Sequence, residues 1–158
     1  MKEPDSIVVS NVLGFSGNLE NSVKDYLSFD KPFQSINLVR YRRYLSNSCC
    51  KLIPRNIIGN IRFDKNLFKG EDALFMFSFS HRISKIISTE PDVIYFRRIR
   101  PFSASRTKYS IPKEIQIGFQ QQWRYSLVYI RNFTRYSFLL YATRILAVFK
   151  VVLMKIKR

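Results

Sequence analysis

An α/β fold is what this sequence predicts, on three observations. A β-branched apolar run, "DSIVVSNVLGF", lies at 5–15. Apolar residues at 74, 75, 79, 83 and 87 recur at close to helical spacing, and "VIYF" follows a turn at 93–96. Strand-like and helix-like patterns thus alternate within 158 residues, enough for one domain with a real core and too few to expect two.

Taken in order, the 5–15 run ends at Gly14 and reads as a buried strand, with "SGNLENS" as the loop after it. "SINLVRYRRYL" at 35–45 fits either a strand or a basic extended segment. In "PRNIIGNIRF", Pro54 stands just ahead of a short helical turn and Gly59 stops it. The spacing in "EDALFMFSFSHRISKII" predicts a helix over 71–87, with Gly70 at its start and His81 in its middle. Glu90-Pro91-Asp92 predicts a turn and 93–96 a strand. A basic loop, "RPFSASRTKYSIPK", leads to a segment expected to be helical from about Lys113 to the end. That divides the chain into an α/β part at 1–112 and a basic amphipathic helical tail at 113–158.

Charge is distributed unevenly. The first 38 residues carry a net −2 and the remaining 120 a net +18, giving +16 in all. After Glu114 there are eight Lys and Arg and no acid. Such a field favours anionic partners: sugar nucleotides, anionic lipid or nucleic acid. Against nucleic acid, the sequence holds no RNP-type aromatic motif, zinc-ligand spacing or recognition-helix signature. The two cysteines, Cys49 and Cys50, are adjacent and poorly placed to bridge, which suits a reducing cytosol, and "MKEPDSIVV" lacks a signal-peptide core. His81 has no second ligand at metal spacing and reads as a surface or packing histidine, and Trp123 as a core or interface anchor.

The last apolar segment, "YSFLLYATRILAVFKVVLM" at 136–154, is about as long as a membrane span, but Arg144 and Lys150 fall inside it. Each costs roughly 2.5–3.5 kcal/mol at a bilayer centre. A helix lying on an anionic membrane face fits better, inserting Phe138, Leu139, Ile145, Phe149 and Leu153. Packing against its own domain or a partner is the equal alternative. Arg124, Arg131 and Arg135 share a face that reads as the solvated side of an amphipathic helix.

Glu71 and Asp72 are a rare acidic pair in this chain. Acids in a first helical turn stabilise it by about 0.3–1 kcal/mol each, which is the ordinary reason to find them there. The catalytic reading is a general base: a carboxylate at a helix start, shielded by Phe68, Leu74 and Phe75, accepting a proton from an attacking hydroxyl.

"KLIPRNIIGNIRFDKNLFKGEDALFMF" at 51–77, followed by "PDVIYFRRIRPFSASR" at 91–106, resembles the acceptor-side half of family 2 glycosyltransferases with the GT-A (Rossmann-like) fold. The matching positions are Lys51, Leu52, Arg55, Ile61, Arg62, Phe63, Gly70, Glu71, Asp72 and Phe75, then Tyr95, Arg98, Arg100 and Ser103. The resemblance spans 5–106 and implies a partial GT-A domain followed by the helical tail. It implies inverting transfer from a sugar nucleotide to a glycan acceptor in cell-surface glycan synthesis. Asp72 would be the base and Glu71 its neighbour on the acceptor. Arg98, Arg100, Ser103 and Ser105 are the residues expected at the donor diphosphate.

The family's opening nucleotide-binding strand and its Asp-x-Asp motif have no counterpart here. The Mg or Mn ion expected for the complete enzyme therefore has no motif in this chain, which is expected to be inactive alone: a fragment, one part of a split enzyme whose partner chain supplies the donor half, or a degenerate relic. Phe102 also replaces a frequent glycine. The location expected is the cytoplasm, peripheral on the inner membrane face through 123–158. A non-catalytic membrane-surface or nucleic-acid-binding protein is the alternative.

Overall fold

The computed structural model describes residues 5–100 and 109–156. The N-terminal apolar run forms two strands rather than one, β1 (Ser6–Val9) and β2 (Asn11–Phe15), broken at Ser10. At Ser10 the N–H and the hydroxyl both donate to the carbonyl of Cys50, at 3.1 and 3.3 Å, one residue on from the pairing of Val8 and Val9 with Leu52 and Lys51; from Asn11 the chain pairs with other segments.

Two mixed sheets result. In the first, β4 (Gln34–Ser35), β6 (Lys85–Ser88), β1 and β5 (Lys51–Leu52) lie in that order; in the second, β3 (Val23–Lys24), β2 and β7 (Ile94–Arg98). β6 runs parallel to β1, with Ile7 opposite Ile86, and β7 parallel to β2, with Leu13 opposite Phe96. The Glu90-Pro91-Asp92 turn bulges between β6 and β7, opposite the single residue Ser10. Buried Asn11 holds that bulge: its Nδ2 donates to the Pro91 carbonyl at 2.7 Å, while its Oδ1 accepts from the Phe29 N–H at 3.1 Å. The mixed α/β content agrees with the expected fold class.

Pro54 and Gly59 bracket α1 (Arg55–Ile58), as their chemistry predicts. The helix expected over 71–87 is shorter. α2 (Glu71–Ser78) ends where the Ser78 and Ser80 hydroxyls donate to the carbonyls of Leu74 and Phe77, both at 2.8 Å, which competes with helix continuation. Ser80–Arg82 is a 3-10 turn that contains His81, and Lys85–Ser88 is β6. Ile83 and Ile87 kept the helical beat, yet pairing beside β1 buries Ile86 completely and suits a β-branched run. Of residues 35–45 only Ser35, the end of β4, is strand. They turn into a 3-10 segment, Arg42–Leu45, whose Tyr44 packs with Tyr41 on Phe33, at ring distances of 5.2 and 4.7 Å. The strand expected at 93–96 is β7, which runs on to Arg98.

The C-terminal segment is two helices, α3 (Ile111–Arg131) and α4 (Phe138–Ile156), with residues 132–137 turning the chain back. Tyr125, Tyr136, Leu140 and Val148 join the same core as Ile7 and Phe77. Phe77 meets Tyr125 edge-on at 5.3 Å and stacks on Tyr136 at 5.2 Å, while the Tyr136 hydroxyl donates to the Ser78 carbonyl at 2.6 Å. Arg124 of the expected solvated face pairs with Asp64 at 3.1 Å, and Trp123 is not a core residue, being 64% exposed. Among the described residues no helix is long and apolar enough to cross a membrane.

Candidate functional site

Gly70, at φ +76, opens α2 in a left-handed conformation that other residues rarely adopt, and the two acids follow in the first turn. Leu74 and Phe75 are buried just behind them, as expected, but Phe68 is 77% exposed and shields nothing. Asp72 is half-buried, with one carboxylate oxygen, Oδ1, accepting the Ser48 hydroxyl. Its other oxygen has no hydrogen-bond partner among the described residues. Glu71 is half-buried and makes no ion pair among them.

The segment that brings Ser48 to Asp72 also delivers Lys51. Cys50 sits at φ +61, an uncommon conformation for a residue with a Cβ, costing on the order of 1–2 kcal/mol. It is held there by its carbonyl's two bonds to Ser10. Lys51 Nζ donates to Asn47 Oδ1 at 2.5 Å and to the Cys49 carbonyl at 2.8 Å. Burial lowers its pKa from 10.5 to about 8, against the opposing pull of Cys50, Cys49 and Asp72. Asp72 therefore has a desolvated lysine near enough for their charges to interact. Cys49 is exposed and Cys50 buried, both as free thiols. Burial pushes the Cys50 thiol up, outweighing Lys51.

A second arginine row ends nearby. Arg97 pairs with Asp25, lies 5.8 Å over the Tyr26 ring, and acts electrostatically on Cys50. Tyr26 in turn accepts from Asn47 at 3.0 Å, so Arg97, Tyr26, Asn47 and Lys51 form one connected polar patch leading to Asp72. Arg98, next along β7, faces the opposite side of the strand and is exposed. Arg100 is exposed beyond the strand end. No contact among the described residues brings Arg98 or Arg100 to Glu71 or Asp72. Ser103 and Ser105 lie outside the described residues.

Sequence reasoning thus located Asp72 and Glu71 but assigned no role to Ser48, Asn47, Lys51 or Arg97. Lys51 stood in the quoted motif and was the available signal. The other three are brought in by tertiary structure.

Among the described residues no group of three or more His, Cys, Asp or Glu could hold a metal ion. The metal implied by the resemblance therefore finds no such donor set there. Comparison of the chain with family models, with curated proteins and with solved structures gave no match.

Proposed function

We propose that this chain carries the proton-accepting, acceptor side of an inverting glycosyltransferase of the GT-A type, with Asp72 as the general base. One observation carries the reading: Asp72 heads α2 half-buried, one oxygen pinned by Ser48 and the other without a hydrogen-bond partner among the described residues. A carboxylate so oriented receives a proton without first reorganising its own hydrogen bonds.

In the proposed step an acceptor hydroxyl lies on the open oxygen of Asp72. Its oxygen attacks the anomeric carbon of a sugar nucleotide and its proton passes to the carboxylate. The bond from that carbon to the diphosphate breaks, and the electron pair leaves with the phosphate oxygen. Lys51 keeps positive charge beside the carboxylate before transfer, and Glu71 is the second acceptor contact. Arg98 and Arg100, with Ser103 and Ser105, are the proposed partners of the leaving diphosphate. In the complete enzyme a partner chain would supply the donor-binding half, and with it the residues that would hold a divalent ion to neutralise the leaving diphosphate. The test is Asp72→Asn in the assembled transferase: transfer should fall by at least about a thousandfold while donor binding holds.

A second reading, a non-catalytic protein of an anionic membrane surface, is favoured by the outer faces of α3 and α4. Phe119, Trp123, Leu146, Phe149, Leu153 and Met154 are each more than half exposed beside Lys150. Phe119 and Phe149 line one small cleft, so the apolar surface is continuous across the two helices. In the transferase reading the same surface holds the enzyme at the inner face of the cytoplasmic membrane.

A further inference from the structure

At the C-terminal end of α2, away from Asp72, an open cleft of about 320 Å³ lies between the 3-10 turn and the α3–α4 corner. Its walls include Ser78, His81, Arg82, Arg131, Asn132 and Arg135, and no carboxylate is among its lining residues. Three arginines line one concavity, and Arg82 and Arg135 both act electrostatically on His81 within it; like charges gathered this way repel unless an anion joins them. Arg131 and Arg135 are exposed and have no ion pair among the described residues.

The remaining groups are held in place. Arg82 Nη1 donates to the Ile57 carbonyl at 3.1 Å, and Gly59 leaves the room it needs, since a Cβ there would come within 2.7 Å of that nitrogen. Arg82 Nε donates to His81 Nε2 at 3.3 Å, which makes Nε2 the acceptor and puts the neutral ring's proton on Nδ1. Nδ1 is buried and has no hydrogen-bond partner among the described residues, and Tyr136 packs edge-on at 4.6 Å to fix the ring. Burial, then Arg82 and Arg135, lower the His81 pKa, so the cleft's charge rests on the arginines.

We propose that this cleft binds a phosphate group, as a phosphomonoester or diphosphate. Guanidinium forks match phosphate oxygens bidentately, and Asn132, another lining residue, adds a neutral side-chain amide. The cleft is of a size that takes a small phosphorylated molecule or a lipid headgroup. Ile130 and Phe133, 67% and 63% exposed, flank Arg131 and Asn132 in the chain and suit a lipid source. The inference does not depend on the role of Asp72.

The test titrates the full chain with inorganic pyrophosphate by calorimetry. It compares wild type, the pair Arg131→Gln/Arg135→Gln, and the control pair Lys65→Gln/Lys113→Gln, which removes equal charge outside the cleft. Melting curves establish that each pair is folded. Saturable binding that weakens by about ten- to a hundredfold in the arginine pair, and holds in the control pair, is expected. Equal weakening in both pairs, or no saturable binding in wild type, overturns the proposal.

Phosphatidylcholine vesicles with and without phosphatidic acid identify the source. Phosphatidic-acid-dependent binding lost in the arginine pair assigns a lipid headgroup. Vesicle binding unchanged while pyrophosphate binding is lost assigns a soluble phosphoester.

Discussion

The titration of Lys51 is the most exposing consequence of the site's geometry. Its ammonium is desolvated between Asn47 and the Cys49 carbonyl, and burial brings its pKa from 10.5 to about 8. That difference corresponds to roughly 3 kcal/mol held against folding while the lysine is charged. The sign follows from proton counts. Between pH 8 and 10.5 the unfolded chain binds a proton at Lys51 that the folded chain has lost, so stability rises with pH in that window. Below pH 8 the whole cost is present.

The perturbations are Lys51→Met, which removes the titration, and Asp72→Asn, which removes an opposing charge and should lower the Lys51 pKa further. Selective ¹³C labelling of lysine, followed by NMR from pH 6 to 11, reads the midpoint directly. Lys51 should titrate near pH 8. Denaturant midpoints across the same range should rise in wild type relative to Lys51→Met. A Lys51 midpoint above pH 10, or one raised by Asp72→Asn, would refute the reasoning.

Three further outcomes follow from the packing. Arg144 is 7% exposed in α4, with a bond to the Arg42 carbonyl at 3.0 Å and a buried Nε that has no hydrogen-bond partner among the described residues. Arg144→Met loses that bond, about 1.5–3 kcal/mol, but relieves a desolvated charge costing several. Its denaturant midpoint should hold or rise, and a loss near 3 kcal/mol would show that the arginine is well satisfied. A Cβ at Gly118 would meet Val152 Cγ2 at 2.6 Å, so Gly118→Leu should wedge α3 from α4 and cost about 1–3 kcal/mol. Full stability in that variant would contradict the contact. Phe149→Asp/Leu153→Asp should weaken binding to anionic vesicles by at least about tenfold, read by flotation, and unchanged binding would remove α4 from the membrane reading.

What the sequence disclosed depended on whether the signal was local. Pro54 and Gly59 bounded α1 because proline fixes its own φ and glycine readily takes the positive φ that ends the turn. Gly70, Glu71 and Asp72 marked the start of α2 through equally local chemistry, a positive φ and acids at the free N–H groups of the first turn. The end of α2 was hidden, because Ile83 and Ile87 continue the helical period although Ile87 lies in β6 and Ile83 just ahead of it. Only pairing with β1, distant in sequence, decides between them.

The arginines show the same limit more sharply. Arg97 and Arg98 are chemically equal neighbours, and only the register of β7 on β2 determines which one reaches Asp25 and Tyr26. Ser48 could not be connected to Asp72 from sequence, since they are 24 residues apart and meet only in the fold. For α4 the alternatives were packing and membrane contact. The helix packs through Leu140, Arg144 and Val148 while Phe138, Leu139, Phe149 and Leu153 stay exposed on its other sides. Ile145, expected with the inserting residues, packs partly against the core.

Glycosyl transfer itself is the deciding measurement. The protein, alone and with the membrane fraction of its source cells, is incubated with a panel of radiolabelled sugar nucleotides, and wild type is compared with Asp72→Asn. Asp72 as the base predicts sugar incorporation that requires this chain, inverts the anomeric configuration and falls by at least about a thousandfold in the variant, with donor binding retained. Incorporation equal in both proteins, a retained configuration, or no incorporation under either condition would contradict it.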